Sequence, residues 1–511
     1  MKKTFRKCLL LCGIVLVGVL LAGSAAVSAE MEVFNMGLAT DAKNLDPHQA
    51  TDTMSFTVCK HINEPLVTVD GKTKQLVPVL AEKWELIDPE TYKFYLKKGV
   101  KFHNGDEFTA EDVVFSLKRV INDSVHAGNR GKQIDPDGFE ILDPHTLIVK
   151  TKGPIGGWLE SMKHPYASIF SKRAVEEAGE EYFRNPVGTG PFKFKSWTKG
   201  EKIELERFDD YHGKKANFKA LNFWVIPDDS SRVIALETGK LDMTYAVPPN
   251  DVQTLGESEK TKVVSSPGLR LIYLGMNTQN KPLDDPRVRL AMDYAINKEA
   301  YGQVVYQGQS VQPDGPLVPA STFTPKDAAP CPYDPEKAKE LLKEAGYPDG
   351  LKLELWTGNL QDNVNGATVL QSMLSQVGIT LNIQVFEPGA FQARLKNADH
   401  QLYIAQWGMQ TIRNAGDYWN TLFSIGSIGS SNWAMLNDAG LEKLLRAVEV
   451  CVDEPERTEL LQKVWDKLYE LHPVVPLVVP NELYGARKDL LGVEDLVDGQ
   501  LNYLGNLHLP D

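Results

Sequence analysis

Apolar positions along the chain change period from segment to segment, and each change marks an element. Residues 33–37 alternate as a first strand, and residues 38–48, LATDAKNLDPH, form the polar loop after it. A helical stretch carries Cys59 to Ile62. Tyr92, Phe94 and Leu96 then alternate with polar residues, as do Val100 and Phe102 ahead of the tight-turn pair Asn104-Gly105. A helix is predicted from Thr109: threonine caps it, Asp112 follows three residues on, and Val113, Val114, Leu117 and Val120 make an apolar stripe. Residues 121–185, broken by Asp-Pro and Gly-Pro, read as a mixed subdomain. Residues 192–208 alternate about Lys199-Gly200 as a hairpin. Gly188 and Gly190, just before it, flank Thr189 without a following helix, so backbone torsions rather than a phosphate cradle account for them.

A helix over 232–238, an extended piece over 241–245 and a strand at Val263-Val264 lead to Pro267-Gly268. The apolar run 269–276 beyond it is the predicted crossing into a second domain. There Asp285-Pro286 and Asp334-Pro335 open helices with proline in the first turn, where its missing amide is unpaired anyway. Strand 351–356, helix 367–376, strand 379–386, helix 390–396 and strand 402–405 alternate, which implies a sheet covered by helices. Helices over 441–452 and 455–471 deliver an apolar strand, 474–479. Residues 481–511 are too few for a domain and are expected to return to the first one, giving crossings near 268 and 485.

Residues 1–29 fall outside this pattern. Lys2, Lys3, Arg6 and Lys7 precede a short apolar run and the small residues Val27-Ser28-Ala29, the layout of a cleaved export signal. Ser24 stands where a lipid-acylated cysteine would be, so a soluble exported chain is expected. Removing the four basic residues takes the net charge from −13 to −17, which argues against nucleic acid and anionic membrane as partners. Cys59, Cys331 and Cys451 remain, odd in number and far apart, so at most one disulfide can form.

Candidate chemistry concentrates in residues 401–423, QLYIAQWGMQTIRNAGDYWNTLF, where an apolar strand runs into a predicted loop bearing Trp407, Tyr418 and Trp419 with an arginine and an aspartate. Aromatic faces with a few polar groups suit a small-molecule cleft. No HExxH or GxSxG occurs, Gly71-Lys72-Thr73 lacks the upstream phosphate-loop glycine, and no two of the ten histidines lie within a dozen residues. No metal or cofactor is expected, and a secreted hydrolase using paired carboxylates is the remote alternative.

Five blocks carry a resemblance: LDP at 45–47, KGVKFHNGDEFTAEDVVFSLKR at 98–119, NPVGTGPF at 185–192, DDPRVRLAMDYAINKE at 284–299 and YDPEKAKELLKEAGYPDG at 333–350. In this order they resemble the extracytoplasmic solute-binding proteins of family 5, which serve dipeptide, oligopeptide and nickel ABC importers. The resemblance implies an α/β, two-lobed periplasmic binding protein of type II, cluster C. Lobe I would comprise 30–268 and 485–511, with a mixed α/β subdomain inserted at about 70–185, and lobe II 269–484. A monomeric periplasmic protein that closes on a peptide-like polar solute and delivers it to ABC permease subunits is the expectation. A non-peptide solute (glutathione-like, opine, metal chelate or sugar) is the alternative.

Peptide-binding members place an aspartate three residues after a loop tryptophan to pair with the ligand's α-amino group. Alignment on Trp407 puts Gln410 there, and glutamine cannot neutralise an ammonium. Dipeptide binders also hold the ligand carboxylate with an arginine after the YPDG helix, where this chain has Asp362. Free dipeptides are therefore expected to bind poorly. Arg413 could hold a carboxylate through its planar fork and Asp417 an amine, or the two could pair with each other. Trp407 is the expected wall of the site. Thr40 and the backbone of Leu38 and Ala39 are the contribution of the other lobe implied by resemblance, with Tyr245, Asn277 and Trp433 as further candidates.

Overall fold

The computed structural model describes residues 31–70, 73–125, 131–409, 414–496 and 503–510. Gln410 and Arg413 lie outside them, as does the leader.

Most strands join one long sheet whose middle member is Val474–Arg487. On one side it pairs with Met243–Tyr245, followed in order by Met31–Leu38, Phe218–Val225 and the hairpin Lys202–Arg207 and Phe192–Thr198. On the other side it pairs with Arg270–Met276, followed by Leu402–Gly408, Leu351–Gly358 and Ile379–Phe386. Fourteen residues of strand are long enough to serve both halves of the sheet in turn, the first half in one lobe and the second in the other. Thr261–Pro267 pairs alongside the second half, and the chain passes through Gly268 into Arg270–Met276. The two connections therefore run side by side, with the Gly268 amide donating to the Pro480 carbonyl at 3.0 Å. A Cβ at Gly268 would stand 2.3 Å from that oxygen, so this contact demands glycine.

Leu351–Gly358, Ile379–Phe386 and the start of Leu402–Gly408 are parallel, and helices cover both faces. Side chains alternate between the covers: Leu271, Tyr273, Tyr403 and Ala405 enter one core, and Ile272, Leu274, Leu402 and Ile404 enter the other. The first lobe has its own core around Phe34, Phe192, Phe218 and Phe223. Within the proposed insertion, an antiparallel sheet of Ala81–Asp88, Thr91–Leu96, Thr146–Thr151 and Ile134–Asp143 packs on helix Ala110–Asp123, which starts with the Thr109/Asp112 capping box.

Several sequence expectations change. The glycines of NPVGTGPF do not need unusual torsions; Cβ atoms would meet the Ile62 carbonyl oxygen at 1.9 Å from Gly188 and 2.7 Å from Gly190. Helix Gln361–Ser375 begins six residues earlier than the apolar pattern predicts, because its first turns are polar and exposed. Residues 401–423 are mostly regular: the strand runs on to Gly408, and Ala415–Phe423 is a helix capped by Asn414. Tyr418 and Trp419 are accordingly core residues, the Trp419 indole donating to the Pro316 carbonyl at 2.8 Å. Cys59, Cys331 and Cys451 are free thiols.

Candidate ligand site

Where the two connections meet, a cavity of about 300 Å³ opens between the lobes. Its lining draws on both connections, with Leu269 and Arg270 from one and Pro480, Asn481 and Glu482 from the other. Tyr245, at the end of its strand, and Thr53, in the first turn of helix Thr53–Ile62, come from the first lobe; Tyr306 and Asp362 come from helices of the second. The strand is continuous through Pro480, which pairs with Ser310 and accepts from the Gly268 amide, and Asn481 and Glu482 beyond it pair with Pro267 and Ser266 and line the junction.

The polar groups are organised around Glu482. The Tyr245 hydroxyl donates to its carboxylate at 2.5 Å, and burial raises the Glu482 pKa against the opposing effects of that hydrogen bond and of Arg270. Burial also raises the pKa values of Tyr245 and Tyr306; the next contributions are the charges of Glu482 and Asp362 respectively. Arg270 is exposed and donates to the Gln406 side chain at 3.1 Å. The lining thus holds two carboxylates and one guanidinium, a set that suits a polar ligand with its own charges.

Of the residues singled out from the sequence, the structure brings Tyr245 into this cavity. Trp407 lies in a strand, and its alternation sends it to the face opposite Gln406, where it meets Trp433 edge-on with ring centroids 6.0 Å apart. Trp433 is 8% exposed and packs on Tyr403 as well. Asp417 sits half-buried in the first turn of its helix, its amide donating to Asn414 at 3.3 Å. Leu38 is fully buried in the first lobe's core, so its side chain is scaffold; Ala39 and Thr40 become progressively exposed after it. Asn277 is scaffold too: its side chain donates to Ala398 and His400 carbonyls at 3.1 Å each and accepts the Gln279 amide, which uses the groups a ligand would need. Sequence reading missed Arg270, Tyr306, Asn481 and Glu482. The usable signal was a charged residue in each predicted crossing, Arg270 after Pro267-Gly268 and Glu482 after Pro480-Asn481.

Two lobes joined by adjacent strands, with a polar cavity at their junction, define a binding protein of the periplasmic type. Residues 75–428 match the bacterial extracellular solute-binding proteins, family 5. The glutathione-binding protein GsiB of Pectobacterium atrosepticum is 30% identical over 489 residues, covering 92% of this chain and 94% of that protein. Among solved structures, the periplasmic binding protein DppA of Helicobacter pylori in complex with the peptide STSA is 30% identical, covers 94% of this chain and 98% of its own, and gives a TM-score of 0.71. HbpA2 from Haemophilus parasuis shares the fold with a TM-score of 0.86 at 24% identity, over 94% of this chain and all of its own. The chain belongs to family 5 of the bacterial extracellular solute-binding proteins.

Proposed function

We propose that this protein is the substrate-binding component of an ABC importer, capturing a peptide or peptide-like small polar solute between its lobes and handing it to membrane permease subunits. The observation that carries the reading is the cavity at Gly268 and Pro480, because a ligand there touches both connections and both lobes. A ligand favours closure only through interactions that form as the lobes close, and a site at the junction supplies such interactions. Family membership and the peptide and glutathione named for its relatives support the solute class. In this reading the lobes divide as 30–268 with 485–511 and 269–484, the insertion spans about 70–185, and the leader directs a monomer to the periplasm. Among the described residues no helix is long and apolar enough to cross a membrane.

The test is purification without denaturation, native mass spectrometry for a co-purified solute, and thermal shift with pools of free peptides and glutathione. A peptide-like solute that co-purifies, raises Tm and is recovered unchanged is expected. A chain stabilised by none of these, or one that hydrolyses them, would overturn the reading.

A further inference from the structure

The inserted subdomain reaches lobe II at a place that shares no residue with the two connecting strands. Ile155, Trp158 and Leu159 are anchored in the subdomain's own core, and Gly156-Gly157 between them present bare backbone to the other lobe. The Gly156 amide donates to the Glu449 carbonyl at 2.7 Å, satisfying one of the carbonyls that the end of helix Ala439–Val450 leaves without an intrahelical partner. A Cβ at Gly156 would stand 2.4 Å from the Val448 and Cys451 carbonyl oxygens and 3.0 Å from Arg457 Nε. Gly157 has φ +70°, and a Cβ there would stand 2.2 Å from Asn414 Nδ2, so torsion and space both demand glycine. The surface they meet is preorganised: the buried Arg457 guanidinium donates to Asn414 Oδ1 at 2.6 Å, and the same oxygen caps helix Ala415–Phe423. Two side-chain contacts flank the glycines. The Thr322 hydroxyl donates to the Glu160 carboxylate at 2.6 Å, and the Lys74 ammonium to the Pro319 carbonyl at 2.7 Å.

Resting on the reading above, in which the lobes close on a solute, we propose that Gly156-Gly157 is a latch of closure. It docks the inserted subdomain on the Arg457–Asn414 pair and on the end of helix Ala439–Val450 as the lobes come together. The interface has the make-up of one that opens. Its contacts are backbone and polar groups, and the apolar residues on its two sides belong to separate cores, so parting them exposes no shared core. Contacts made only in the closed arrangement favour it with or without a solute, so the latch sets how much of a solute's binding energy is spent on closing. The insertion thereby acts on affinity from a place outside the junction cavity, through residues that need not touch the solute.

The experiment uses Gly156→Ala in the mature chain, because the φ of Gly156 lies outside the left-handed region and only the docked arrangement crowds the new Cβ. Gly153→Ala, where a Cβ meets nothing within 4 Å, is the control, and Thr322→Val removes a flanking donor independently. Small-angle X-ray scattering of the ligand-free chain reads closure, calorimetry with a pool of free tripeptides and glutathione reads affinity, and Tm reads the fold. Gly156→Ala is expected to enlarge the radius of gyration by about 1 Å, to weaken binding at least tenfold and to keep the ligand-free Tm within about 4 °C of the control. Thr322→Val should move radius and affinity in the same direction by less. A radius of gyration equal to the control, or affinity within twofold of it, would overturn the latch. A larger fall in Tm would overturn it too, because the contact would then be permanent packing. No binding of the pool by folded wild type would overturn the peptide reading, and the ligand-free radius of gyration would still decide the latch.

Discussion

Substituting Gly268 by alanine isolates the contact between the two connections. The φ of Gly268 lies outside the left-handed region, so alanine is allowed by torsion and the perturbation is purely steric. Its Cβ would lie 2.3 Å from the Pro480 carbonyl oxygen and 3.4 Å from a Glu482 carboxylate oxygen. The first contact is with backbone, so the strands must separate by roughly 1 Å to restore van der Waals distance, and the 3.0 Å hydrogen bond between them lengthens. Overpacking of this kind costs about 1–3 kcal/mol, and loss of a backbone hydrogen bond adds about 1 kcal/mol. Urea unfolding of the mature chain is the assay, with Gly153→Ala as control, because a Cβ there meets nothing within 4 Å. A loss of about 2–4 kcal/mol for Gly268→Ala is expected, against a change within about 0.5 kcal/mol for the control. Equal stability of the two variants would refute the argument that close approach of the crossings requires glycine. Peptide affinity should fall with Gly268→Ala as well, because the cavity is lined from both displaced strands.

Three further outcomes are expected. Burial lowers the pKa of His48 to about 3 and those of His61 and His103 to about 4. Their folded values lie below the unfolded value near 6.5, so their contribution to stability is complete above that pH and is lost as pH falls from about 6.5 toward 4, by up to roughly 1.4 kcal/mol per pH unit for each histidine. Urea midpoints at pH 7 and pH 5 that coincide would contradict it. Asn277→Ala should cost about 1–3 kcal/mol in the same assay by removing the side-chain donor to the Ala398 carbonyl, the His400 carbonyl keeping Asn280 as a donor, while a folded sample keeps its peptide affinity; an affinity loss beyond tenfold would return Asn277 to the ligand site. Arg413→Ala should weaken a carboxylate-bearing ligand at least tenfold by calorimetry, and unchanged affinity would remove Arg413 as an anchor.

Long-range order was legible wherever local chemistry and burial agree. The capping box at Thr109, the hairpin about Lys199-Gly200, the proline-started helices after Asp285 and Asp334, and the strand–helix alternation of the second lobe all follow from residues near each other in sequence. An apolar run beyond Pro267-Gly268 and a chain end too short for its own domain leave few ways to connect two lobes. Strand alternation, once the strand's true length is known, decides what Trp407 can do: a strand that continues to Gly408 turns it toward Trp433 and away from Arg270. Its sequence alone suggested a loop, because aromatic, glycine and charged residues together carry no clear period.

The sequence by itself therefore determined the family, the two-lobed class and the departures at Gln410 and Asp362, because these rest on residue identity and order. Only the tertiary structure decided where the polar cavity lies and which side chains line it. Glu482 and Tyr245 are far apart in the chain and come into hydrogen-bond contact because Val474–Arg487 pairs with Met243–Tyr245, and Asn481 lines the same cavity because it is the neighbour of Glu482 on that strand. Such contacts depend on strand register across the hinge, and register is a property of the assembled sheet rather than of any local stretch.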